Sequence, residues 1–304
     1  MILRDPITII ASACKCRSPS LLQEVEKTCS SPSQPEVGDS SEQTNSYIND
    51  TSDTNHMADD ADLHPTLHPD YQIAERVRLQ MEMFAQKFRE LNEGGQLADI
   101  LRNPGTLPGV RVEQQPEVFT EQYLIEPVLH GLGFRSPTSE EYNAGGAHFI
   151  RRPITYRKVE PRQPDYLLKN VDDSLVCLVE AKAANRELVR GSKQDATADI
   201  RQYLEEDTFC KYLRDIDQKY LVGIGTDGLR WTLWMKHLAT GEIKEATPKV
   251  DLSSIVEREA IRAETIDGDV ELGRAADRRT LSEKFIPAFG ERNLMDHVGD
   301  SFAG

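Results

Sequence analysis

Two hydrophobic periods alternate along this chain, and each change of period marks an element. From Tyr71 to Glu93 the apolar residues Ile73, Val77, Met81, Phe84, Phe88 and Leu91 return every three or four positions, the spacing that lines one face of an α-helix. Gly94-Gly95 is its expected stop, and its single apolar stripe suits packing or dimerisation. The run NPGTLPG, Asn103 to Gly109, predicts a turn-rich linker. A second helix is predicted from Pro116 to His130, with Val118, Tyr123 or Leu124, Val128 and Leu129 inward, closing at Gly131-Leu132-Gly133.

Beyond it the pattern shortens to strands. His148 to Lys158 (HFIRRPITYRK), Asp165 to Lys169 and the apolar Leu175 to Ala183 (LVCLVEAKA) are predicted strands, with a hairpin turn at Asp172-Asp173. A helix from Lys193 to Glu206 follows, then a buried strand Tyr220 to Gly225, a turn at Thr226-Asp227-Gly228 and a strand Leu229 to Lys236. Helix, three strands, helix, two strands predicts an α/β fold in which helices flank a mixed β-sheet. Past Gly241 the chain is acidic and weakly patterned up to a predicted terminal helix, Asp277 to Phe289, and no internal repeat occurs.

Composition separates the N-terminal segment from the rest. Residues 1–70 are rich in Ser, Thr, Asn, Asp, Gln and Pro and hold 4 basic against 12 acidic side chains, more than half of the net −15. So little apolar surface does not offset the entropy of ordering, which predicts disorder. The expected organisation is therefore a polar segment at 1–70, a helix and linker at 71–109, an α/β domain at 110–240 and an acidic extension at 241–304. Met57, just before ADDADLHP, is an alternative start to Met1. Cys14, Cys16, Cys29, Cys177 and Cys210 show no zinc-type spacing and no disulfide framework. No apolar run approaches the roughly 20 residues of a membrane span. The short ITIIASAC run follows Asp5-Pro6 and is brief for an export signal. A cytoplasmic protein without membrane partners is the expectation.

Candidate chemistry sits at the end of the apolar strand. Glu180 and Lys182 are two residues apart and so share a face. Burying both charges without partners is costly, which predicts that the strand end opens into a polar cleft holding a cation. Asp165, after Pro164, heads the preceding hairpin strand, and pairing brings its carboxylate beside Glu180. Two carboxylates and the Ala181 carbonyl form a hard-oxygen set suited to Mg²⁺, with Mn²⁺ a substitute and the lysine beside it. Taken alone, Glu180 and Lys182 also fit an ordinary surface ion pair.

Pro164-Asp165, fourteen intervening residues and Glu180-Ala181-Lys182 resemble the PD-(D/E)xK nuclease superfamily. More narrowly, PDYLL, LVEAKA, a helix with RQYL at Arg201 to Leu204 and GIGTDGLRWTLW at Gly223 to Trp234 resemble the N-terminal nuclease domain of type I restriction enzyme R subunits, over roughly Pro116 to Met235. The resemblance implies a restriction-endonuclease-like core and Mg²⁺-dependent cleavage of DNA. It implies that Asp165, Glu180 and the Ala181 carbonyl hold the metal, while Lys182 orients or deprotonates the attacking water. It also implies a helix glutamate before the sheet: alignment of PEVFTEQYLIEPVLHGLGF on Pro127 selects Glu117, with Glu121 one turn later as runner-up. The family's glutamine four residues before the helix tyrosine is here Asp199, with Gln194 and Gln202 nearby. The chain has no GxxxxGK phosphate loop and no methyltransferase pattern, so motor, methyltransferase and specificity subunits are the expected partners besides DNA. The alternative is a DNA-binding subunit that depends on such partners or does not cut.

Charge bears on how an acidic chain would hold DNA. Residues 151–193 carry 10 basic and 6 acidic side chains. Arg151, Arg152, Arg157, Lys158 and Arg162 precede Asp165 and are candidate phosphate contacts, with Arg186, Arg190 and Lys193 extending the track. Trp231 and Trp234, in a strand reading WTLW, are expected to be core residues rather than base-stacking platforms. His148 and His237 have no partner at metal-ligand spacing.

Overall fold

The computed structural model describes residues 68–103, 105, 107–153, 163–185, 196–205 and 218–303. The predicted disordered segment up to residue 67, Met57, Arg157, Lys158, Arg162, Arg186, Arg190, Lys193, Gln194 and all cysteines but Cys177 lie outside them.

Helix α1 (Pro69–Glu90) opens on Pro69, whose fixed φ suits a first helical turn. It buries Ile73, Val77, Met81, Phe84 and Phe88, all of the predicted stripe but Leu91, which is half-buried just past the helix end. Gly94-Gly95 do not stop the helical region but begin α2 (Gly94–Arg102). A Cβ on Gly94 would lie 2.0 Å from the Thr265 carbonyl oxygen, so close approach, rather than chain termination, is what requires glycine there. A one-turn helix, α3 (Gly109–Val112), follows.

The predicted second helix is built in three parts: α4 (Pro116–Thr120), a π-helical turn (Glu121–Ile125) and α5 (Glu126–Gly131). Its cause is Pro127, which lacks an N–H and whose ring would strike the carbonyl four residues back, so the turn ahead of it widens. The same arrangement recurs near the C-terminus, where α8 (Arg274–Thr280), a π turn (Leu281–Phe285) and α9 (Ile286–Phe289) surround Pro287. The wide turn also re-aims the inner face: Phe119, Leu124, Ile125, Val128 and Leu129 are buried, while Val118 is only half-buried.

Six strands, β1 (His148–Arg151), β2 (Tyr166–Lys169), β3 (Leu175–Ala181), β4 (Tyr220–Thr226), β5 (Arg230–His237) and β6 (Ile243–Asp251), form one open sheet in sequential order. Only β3 and β4 run parallel, and α6 (Ala196–Glu205) lies between them in sequence, as a crossover requires. Alternation along β3 sorts its side chains. Leu175, Cys177, Val179 and Ala181 join a main core with α1, α4 and α5. Val176 and Leu178 pack with Leu167, Leu221 and the α6 residues Ile200, Tyr203 and Leu204.

Strand β6 and α7 (Ser253–Arg262) occupy the stretch that is weakly patterned in sequence. Strand β6 is an edge strand, buried only at Thr247 and carrying Lys244, Lys249 and Pro248, so it shows no apolar period. The main core nonetheless draws on this region, through Leu252, Ile255, Val256, Phe285 and Phe289, and on α10 (Leu294–Ala303) through Leu294 and Val298. Trp231 packs edge-on to Phe285 and Phe289 with its indole N–H on the Gly228 carbonyl, so it is a core residue. Among the described residues no helix is long and apolar enough to cross a membrane.

Candidate active site

Pairing places Tyr166 opposite Val179 and Leu167 opposite Leu178, and continuing that antiparallel register sets Asp165 opposite Glu180. Two further bonds fix Asp165: its Oδ2 accepts the Ala181 N–H at 2.8 Å, and its carbonyl accepts the Arg152 N–H at 2.6 Å. A strand residue sends its N–H and C=O to the same side, so the Ala181 carbonyl lies on the Asp165 side of β3.

Helix residues complete the cluster. One carboxylate oxygen each from Glu117, Glu121 and Asp165 lie within 4.8 Å of one another. The two glutamates differ in what holds them. Glu121 is fully buried, with Oε2 accepting from Arg151 at 2.6 Å and from the Tyr166 hydroxyl at 3.0 Å. Its Oε1 has no hydrogen bond, only a longer ion pair with Arg152 at 3.5 Å. The Glu117 carboxylate is half-buried and has no hydrogen-bond or ion-pair partner among the described residues. The spacing of helix acids alone left these two interchangeable; packing makes Glu121 the buried, arginine-held one and Glu117 the open one.

Glu180 and Lys182 face α6. The Lys182 ammonium lies 2.5 Å from Glu180 Oε1 and 3.0 Å from Asp199 Oδ2. Glu180 is 5 % exposed, and its Oε2 has no hydrogen-bond partner. Burial, and next the Asp165 charge, push the Glu180 carboxyl up to about 7. Burial likewise raises Asp165, against the Ala181 N–H bond that favours its anion, and burial raises Glu117. Burial alone would lower Lys182, but Glu180 and Asp199 reverse that and hold it raised, so it carries its proton.

Several carboxylates are thus drawn together in low dielectric with two buried oxygens left unbonded. This is a hard-oxygen donor set that a divalent cation would satisfy. The residues fit such an ion: the oxygens of Glu117, Glu121 and Asp165 converge, the Ala181 carbonyl lies on the Asp165 side of β3, and Glu180, paired with Lys182, stands opposite Asp165 in register but outside that group of three.

Two anchors that sequence reasoning did not single out position these groups. Thr120 Oγ1 accepts the Ala184 N–H at 2.9 Å, tying the helix of Glu117 and Glu121 to the chain leaving β3. Arg230 donates to Asn185 Oδ1 at 2.8 Å, Ser253 Oγ at 2.9 Å and Asp251 Oδ2 at 3.1 Å, pinning that same segment to the sheet's far side. The TDGLRW stretch is therefore a scaffold: Asp227 Oδ1 accepts the N–H groups of Leu229 and Arg230, and Thr226 Oγ1 accepts that of Gly228. The signal for it lay in the Asp-Gly turn, whereas nothing local marked Asn185 or Thr120.

Arg151 and Arg152 lie at this edge, and Arg152 adopts φ +45°, in the left-handed region. His148 bonds the Gly146 carbonyl, and His237 packs edge-on against the stacked rings of Tyr220 and Phe302. Trp234 is half-buried under the Arg201 guanidinium. No protein-family model, curated protein or solved structure matches the chain.

Proposed function

We propose that this protein is a Mg²⁺-dependent endodeoxyribonuclease of the restriction type, built on a restriction-endonuclease-like core and acting in the cytoplasm. The observation that carries this reading is the register that sets Asp165 opposite Glu180, with Glu117 on the helix side and Lys182 two residues further on. The order Pro164-Asp165 then Glu180-Ala181-Lys182, which resembles that of PD-(D/E)xK nucleases, supports the reading.

Asp165, Glu180, Glu117 and the Ala181 carbonyl would hold Mg²⁺ or Mn²⁺. Such an ion supplies Lewis-acid neutralisation of a phosphodiester's non-bridging oxygens and acidifies a water. Lys182, charged and held beside Glu180, would orient the attacking water and counter phosphate charge. Arg152, 55 % exposed at its side chain, is placed to leave Glu121 for a DNA phosphate, whereas Arg151 also pairs with Glu126 and holds the helix acids in position. Motor, methyltransferase or specificity subunits are the partners such a nuclease would work with.

The test is cleavage of plasmid DNA with Mg²⁺, Mn²⁺ or EDTA. Divalent-dependent cutting is expected, lost by at least about 100-fold in Asp165→Ala and Lys182→Ala, as for removal of one group stabilising a transition state, with circular dichroism unchanged. Both variants cutting as well as the parent would sink the proposal. DNA binding without cleavage by the parent would instead assign the chain as a binding subunit, and preference for RNA would correct the substrate.

A further inference from the structure

Lys182 is held from two sides, and the second side comes from a different element. A lone ammonium beside a buried carboxylate would share itself between both oxygens. Here Lys182 stays on Glu180 Oε1, with Asp199 Oδ2 at 3.0 Å drawing it toward α6, and Glu180 Oε2 is left without a partner. Packing, rather than the ion pair, sets where Asp199 stands. Helix α6 is seated by Ile200, Tyr203 and Leu204 on Leu167, Val176, Leu178 and Leu221. It can lie that close because Gly225, the β4 register partner of Glu180, has no Cβ: one built there would be 3.0 Å from Ala196 C and O and from Thr197 N. The Thr197 and Thr232 hydroxyls, 3.2 Å apart, tie the first turn of α6 to β5. Asp199 thus arrives at Lys182 already fixed.

We infer that Asp199 is a positioning residue: it holds the Lys182 ammonium off Glu180 Oε2 and so keeps that oxygen open to a divalent cation. This rests on the metal-centre reading above. With Asp199 gone, the Lys182 charge is unshared and competes directly with the metal for Glu180. The defect belongs to Lys182 and should vanish when Lys182 is removed.

A double-mutant cycle on the full-length chain, read as Mn²⁺ affinity by calorimetry, tests this without requiring cleavage. Asp199→Ala is expected to weaken Mn²⁺ binding about five-fold or more in the parent but less than about two-fold in Lys182→Met, the coupling expected of contacting side chains. Asp199→Asn, which keeps the shape, should weaken binding in the same direction with unchanged circular dichroism, and Asp199→Glu should restore most of the affinity. Equal losses in both backgrounds, or no loss, overturn the inference while leaving the metal centre intact. A parent chain that takes up no Mn²⁺ overturns the metal centre and this inference together.

Discussion

At the scale of single residues, Glu180 holds the largest tension in the site. Its carboxyl lies near 7 because burial beside Asp165 disfavours the anion, whereas in the unfolded chain an ordinary glutamate titrates near 4.5. Between those values the native state binds more protons than the unfolded state, so this group lowers stability as pH rises from about 4.5 to about 7. Glutamine mimics the protonated form. Without divalent ions, Glu180→Gln should therefore unfold at a higher temperature than the parent at pH 8, by an amount corresponding to on the order of 3 kcal/mol. The gain should fade towards pH 4.5, and scans at both values check it. Adding Mg²⁺ should stabilise the parent and not this variant, because binding to the native state alone adds stability. That Glu180 and Lys182 share a face was legible from period-2 alternation. That Asp199 is the other partner of Lys182 was not, because the two are brought together by a packed helix and not by neighbouring sequence.

Among elements, the helix that interrupts itself before Pro127 decides which acids reach the site. Sequence periodicity read Pro116 to His130 as one regular helix, and the existence of the element was correct. The widened turn at Glu121–Ile125 exchanges Val118 for Phe119 on the inner face and buries Glu121 against Arg151 and Tyr166. A hydroxyl ties this helix to the chain leaving β3. Thr120→Val keeps the shape but leaves the buried Ala184 N–H unpaired, which should cost about 1–3 kcal/mol in denaturant unfolding. If the Thr120 link also holds Glu117 near Asp165, divalent-dependent cleavage should fall further than stability alone explains, measured well below the unfolding temperature. Gly225→Ala addresses the opposite side. It would push α6 off the sheet against backbone atoms, cost about 1–3 kcal/mol, and weaken Mn²⁺ binding in the same way as loss of Asp199.

Across the whole molecule, buried charge joins the N-terminal and C-terminal helices. Arg78 of α1 is 2 % exposed and lies 2.8 Å from Glu259 of α7, which is fully buried and also pairs with Arg262; Arg262 in turn reaches Asp277 of α8 at 2.7 Å. Removing one member strands the others in low dielectric. Glu259→Ala should destabilise the fold by about 3–5 kcal/mol, visible as a large drop in unfolding midpoint. On the proposed reading, a chain of net charge −15 would have to hold DNA through a local basic edge. Binding should fall steeply with salt, and Arg152→Ala should reduce the slope of log affinity against log salt by about one.

The sequence by itself determined the features that depend on local periodicity. These are the amphipathic α1, the apolar β3 with Glu180 and Lys182 on one face, the hairpin that brings Asp165 alongside, and the Asp-Gly turn before β5. Each follows from spacings of two to four residues, over which side-chain direction is set by the backbone alone. Tertiary structure decided which helix glutamate lies buried and which open, the pairing of Lys182 with Asp199, the anchoring of the segment after β3 by Thr120 and Arg230, and the presence of β6. Those features depend on groups far apart in sequence, or on an edge strand whose polar residues carry no period. Only packing brings such groups within bonding distance, and no local pattern encodes it.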